Sequence, residues 1–107
     1  MPRKKQLKIV GNSIKSYQVN INRVGKDLSE VHQIDLSIQT DDGSYEYKIC
    51  QDTREPDINR IKAYLDKSLK DAMETFSKVE ISEYGERNYL FFKVQGEDQK
   101  QYTGTRV

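Results

Sequence analysis

A chain of 107 residues makes one domain, large enough to bury about two thirds of its unfolded surface without disulfide or metal staples. With 33% charged and 35% hydrophobic residues and a mean hydropathy of -0.89 it is polar, yet its apolar residues recur periodically, which excludes wholesale disorder. Its 18 basic and 17 acidic residues exclude the overall basic footprint of a dedicated duplex-DNA binder, because the excess is confined to Arg3, Lys4, Lys5 and Lys8 and the remainder is mildly acidic.

The start Met1-Pro2-Arg3-Lys4-Lys5 lacks the apolar stretch of a secretory leader, and no run approaches the roughly 18 apolar residues of a membrane span. Together with a lone Cys50, which permits no internal disulfide, this points to the cytoplasm and away from a membrane. Residues 1–5 read as a basic arm preceding the domain. Leu7 and Ile9 suit a short strand that returns through Gly11-Asn12. Tyr17, Val19 and Ile21 then alternate with Ser16, Gln18, Asn20 and Asn22, the pattern of a half-buried strand, and the chain turns over Val24 to Lys26.

Asp42-Gly43 suits a two-residue type I′ hairpin turn, since both central residues need positive φ. That turn sets Thr40 opposite Tyr45, Ile38 opposite Tyr47 and Leu36 opposite Ile49. The apolar residues then share one face, while Asp35, Ser37, Gln39, Glu46, Lys48 and Cys50 share the other.

Pro56 marks a helix start, because its missing N–H is an orphan there in any case. Ile58, Ile61, Leu65, Leu69, Ala72, Phe76 and Val79 recur at steps of three or four and define one apolar helix face, so a helix over 56–77 is expected. The pairs Asp66 with Lys70 and Glu74 with Lys78 are expected on its outer face. A second hairpin follows, with residues 85–88 as its loop and with Ile81 opposite Phe92, Val79 opposite Val94, Glu80 opposite Lys93 and Tyr84 opposite Tyr89. Residues 97–107 show no apolar period and read as a mobile tail after a domain spanning 6–96.

The expected fold is therefore α+β, an antiparallel sheet of about five or six strands in the order β-β-β-(β)-α-β-β with one long helix across one face. The register sends Tyr84, Tyr89 and Phe91 to the helix-free side, flanked by Arg87 and Lys93. Neighbouring aromatics without a second layer mark an interaction site. The first reading is a non-catalytic binding or regulatory module, docking a protein partner or a second copy through this face or through an edge strand. The alternative is single-stranded nucleic acid, with bases stacking on the strand aromatics and the arm residues Arg3, Lys4, Lys5 and Lys8 touching phosphates.

Catalytic signals are sparse. One His32 and one Cys50 cannot make a zinc cluster, Cys50 has no adjacent cation to activate it, and neither a glycine-rich phosphate loop nor a nucleophile elbow is present. No cofactor or resident metal is expected. The one constellation that makes chemical sense is Asp35, Glu46 and Lys48 on a single hairpin face, an acid followed by Glu-x-Lys, which in a metal-dependent nuclease would hold Mg²⁺ and position water. Asp41-Asp42 and the Asp52, Glu55, Asp57 group sit where turns and helix starts favour carboxylates.

Overall fold

The computed structural model describes residues 4–24, 31–53, 55–84 and 89–107. The elements in chain order are β1 (Lys4–Val10), a 3-10 turn (Gly11–Ser13), β2 (Ile14–Val24), β3 (Val31–Thr40), β4 (Gly43–Thr53), α1 (Glu55–Thr75), β5 (Lys78–Tyr84), β6 (Tyr89–Val94) and β7 (Lys100–Arg106). All strands join one antiparallel sheet in the order β1-β5-β6-β7-β4-β3-β2, with α1 packed across one face. The expected α+β class is the class observed, with one strand more than the sequence signals reveal.

The sheet is strongly curled, and the chain itself requires it. β1 and β2 are its two edges, which in a flat seven-stranded sheet would lie about 29 Å apart. Yet the chain from Val10 to Ile14 reaches at most about 14 Å. The edges therefore meet at one corner, beneath the C-terminal end of α1, where the Gly11 N–H donates to the Ser77 carbonyl at 2.9 Å. Side-chain bulk is excluded there, since a Cβ on Gly11 would stand 2.0 Å from the Ala72 carbonyl oxygen. Because of this corner, β1 does not return onto β2 as the Gly11-Asn12 turn signal suggests. It pairs with β5 instead, from Lys4 opposite Tyr84 to Val10 opposite Lys78.

The core fills the concave side. Ile58, Leu65, Leu69 and Ala72 of α1 are completely buried, against Ile34, Leu36, Ile38, Tyr47, Ile49, Val79, Ile81, Leu90 and Phe92 of the strands. Each such Leu, Ile or Val side chain contributes roughly 1.5–3 kcal/mol by leaving water. The helix ends earlier than its periodicity implies: Phe76 adopts φ 58, and the Ser77 N–H closes back on the Ala72 carbonyl at 3.1 Å. Phe76 is 65% exposed and Val79 belongs to β5, so neither lies on the helical stripe. Asp66 pairs with Lys62 at 2.6 Å, one turn N-terminal, rather than with Lys70; Lys78, expected to pair with Glu74, opens β5.

The β3–β4 hairpin is displaced by two residues from the register the Asp42-Gly43 signal suggests. Thr40 faces Gly43, Ile38 faces Tyr45, Leu36 faces Tyr47 and Ile34 faces Ile49, leaving Asp41 and Asp42 as the turn. Thr40 decides it: its hydroxyl accepts from the Asp42 N–H at 3.2 Å and donates to the Gly43 carbonyl at 3.0 Å. Gly43, at φ 138, begins the returning strand. A shift of two preserves side-chain parity, so the expected separation of faces survives except at Cys50. There the register jumps between His32 and Ile34, and Cys50 takes φ 58 and turns into the core.

Residues 97–107 are not a mobile tail. Lys100–Arg106 form β7, which lies in the middle of the sheet, pairing with β6 through 100–103 and with β4 through 104–106. Likewise Lys4 and Lys5, assigned to a free basic arm, lie within β1. The β5–β6 register is the expected one throughout, from Val79 opposite Val94 to Tyr84 opposite Tyr89. The loop proposed for 85–88 and the turn at Gly25 and Lys26 lie outside the described residues.

Candidate interaction face on the convex side of the sheet

Strand alternation settles which side chains leave the core. In β6, Leu90, Phe92 and Val94 are buried, and Phe92 meets Tyr64 of α1 edge-on, with centroids 6.3 Å apart. Tyr89, Phe91 and Lys93 therefore occupy the opposite, convex face. In β5 the same parity places Val79 and Ile81 on the core side and Glu80, Ser82 and Tyr84 on the convex side, where Ser82 is only 8% exposed and Glu80 and Tyr84 are half-buried. Tyr84 and Phe91 meet edge-on at 5.2 Å with an interplanar angle of 80°, the preferred arrangement for an aromatic pair. Tyr89 stands directly opposite Tyr84. All three rings are half-buried.

Charged residues border the rings. Glu80 lies between Lys8 and Lys93 in register, with Lys8 Nζ 4.0 Å from Glu80 Oε1. At the same end of the hairpin Lys78, Glu80, Lys93, Gln95 and Gly96 line a cleft of about 210 Å³. The β1 register sets Lys4 opposite Tyr84, so one of the basic residues assigned to an arm is a ladder partner of the aromatic group. Arg3 and Arg87 lie outside the described residues, as do the side chains of Lys4 and Lys5.

The Asp35, Glu46, Lys48 group is also on the convex face. Asp35 faces Lys48, and Glu46 faces Ser37 one step along. Both Asp35 oxygens already accept side-chain amides: Oδ1 from Gln33 Nε2 at 2.7 Å and Oδ2 from Asn22. Among the described residues no group of three His, Cys, Asp or Glu side chains is arranged to hold a metal ion. Cys50 is 3% exposed in the concave core, not on the outer face that it was expected to share with Asp35.

Sequence reasoning missed a second polar cluster, on the concave side. Glu97 Oε2 accepts from Tyr64 Oη at 3.1 Å and from Ser68 Oγ at 3.3 Å, and Lys100 Nζ lies 5.3 Å from the Tyr64 ring centroid. Burial pushes the Tyr64 hydroxyl pKa up, as it does more strongly at Tyr102 and Tyr47. At Tyr47 the Glu83 charge adds to the effect and Arg106 opposes it. Arg106 itself stacks on Tyr45 at 5.1 Å. Nothing in the sequence announced this cluster, because Glu97 and Lys100 lie where the apolar period ends.

No protein-family model matches the chain, and neither a curated protein nor a solved structure matches it. Among the described residues no helix is long and apolar enough to cross a membrane.

Proposed function

We propose that this protein is a non-catalytic docking module whose convex sheet face, centred on Tyr84, Tyr89 and Phe91, binds a protein partner. The reading rests on one observation: an edge-on Tyr84–Phe91 pair, with Tyr89 opposite Tyr84, on the face that α1 leaves uncovered. Rigid aromatic side chains supply large contact area at low entropic cost, and a mixed-charge border of Lys8, Glu80 and Lys93 suits a protein surface better than a uniformly anionic one. A photo-crosslinking residue at Phe91 in the intact chain captures the partner, and binding of that isolated partner is then compared between the parent and Tyr89→Ser/Phe91→Ser. Loss of binding with an unchanged circular-dichroism spectrum is expected. A double variant that folds and binds as the parent does overturns the reading.

The pairing of Lys4 with Tyr84 favours one second reading, single-stranded nucleic acid stacked on the same rings. Fluorescence titration with a labelled single-stranded oligonucleotide at two salt concentrations tests it. Salt-sensitive binding lost in the double variant supports it, and absence of binding at low salt removes it.

A further inference from the structure

β7 is the junction of the sheet. Without it the strands fall into two groups, β1-β5-β6 and β4-β3-β2, because β7 alone pairs with both β6 and β4. Its sequence, KQYTGTR, brings little apolar surface: Gly104 is buried, Tyr102 is half-buried and the other positions are exposed. Backbone pairing and fit hold it, and the fit is specific. A Cβ on Gly104 would meet the Lys48 carbonyl oxygen at 2.4 Å, Ile49 Cα at 2.9 Å and Leu90 Cδ1 at 3.0 Å.

The segment before β7 is bent by interactions that exist only while it is bent. Gly96 takes φ 88, the Glu97 N–H donates to the Val94 carbonyl at 2.9 Å, and Glu97 Oε2 reaches Tyr64 and Ser68 of α1. Lys100, on the far side of the bend, lies over the same Tyr64 ring. Tyr64 is thus gripped from both ends of the hinge.

We propose that β7 is an exchangeable strand: the slot between β6 and β4 accepts β7 from a second copy of this chain, reciprocally, and the Glu97–Tyr64–Ser68 contact is the latch that keeps the hinge closed in the monomer. The occupant is a second copy because the slot demands glycine at the position facing Ile49, which the chain's own strand supplies. Exchange of an identical element recreates every β7 contact and sacrifices only those of the bent hinge. This inference does not depend on the aromatic face.

The test uses the full chain carrying Cys50→Ala together with Lys48→Cys and Thr105→Cys, an exposed antiparallel pair at a separation a disulfide spans. The protein is unfolded, refolded at high concentration and separated by size exclusion with light scattering. Each fraction is then oxidised and run on a non-reducing gel. Monomer should close the bond within one chain, and dimer should link two chains. Glu97→Ala, and separately Gly96→Val, which strains the bent hinge but not an extended one, should raise the dimer-to-monomer ratio about tenfold. Dimer that oxidises only within single chains overturns the proposal, as does a ratio unmoved in both hinge variants. If a variant fails to fold, the unaltered hinge refolded at high concentration gives the same gel readout, and absence of any chain-to-chain bond there is decisive.

Discussion

Gly104 and Lys48 approach so closely that a methyl group on Gly104 would stand 2.4 Å from the Lys48 carbonyl oxygen. The contact is backbone on both sides, so no rotamer change relieves it. This approach lets β7 pass from β6 to β4 and join the two halves of the sheet. Gly104→Ala should therefore destabilise the fold by about 1–3 kcal/mol, as overpacking does. Chemical denaturation measures it, and an unchanged midpoint would mean that β7 does not run through this position.

Phe76 carries a cost that a simpler residue avoids. At the helix C-terminus it holds φ 58 with a ring 65% exposed, so the left-handed conformation has little burial to offset it. Phe76→Gly should stabilise the protein by about 1 kcal/mol, read as a raised denaturation midpoint. A loss of stability would show that the ring is anchored rather than exposed.

Tyr47 and Tyr102 make the fold sensitive to base. Burial, first among the causes at both, raises their folded pKa values above the ordinary 10.0. The unfolded chain then releases its phenolic protons at lower pH than the folded one. Stability from these groups is complete below about pH 10 and falls as pH climbs through the folded values, by about 1.4 kcal/mol per pH unit for each tyrosine. The double variant Tyr47→Phe/Tyr102→Phe should shift base unfolding, followed by circular dichroism, to higher pH. Coincident curves would refute the assignment.

Cys50 is 3% exposed in the concave core. A thiol reagent should label it in native protein at least about a thousandfold more slowly than in denaturant, at a rate set by opening of the fold. Rapid native labelling would place the thiol on the outer face that simple alternation assigns to it.

Legibility followed burial. The β5–β6 faces were readable because Val79, Ile81, Leu90, Phe92 and Val94 are buried on alternate positions, and the register followed from reading residues 85–88 as the loop between them. The β3–β4 faces were readable for the same reason. Their register was not, because a shift of two leaves parity intact and the choice falls to the Thr40 hydroxyl bonds around Asp42 and Gly43. The aromatic group at Tyr84, Tyr89 and Phe91 followed from parity alone, whereas the Glu97–Tyr64–Ser68 contact joins a turn to a helix across 33 and 29 residues, beyond any local pattern.

By itself, then, the order of residues determined the elements whose side chains sort by water: one amphipathic helix, two hairpins and a half-buried strand, hence a sheet with one covered face. Tertiary structure alone decided that Lys100–Arg106 form a strand, that β1 pairs with β5 rather than β2, and that Cys50 turns inward. The physical reason is common to the strands. Their placement depends on backbone hydrogen bonds offered by distant neighbours and on the close approach that Gly11 and Gly104 permit, and neither leaves a periodic trace in hydropathy.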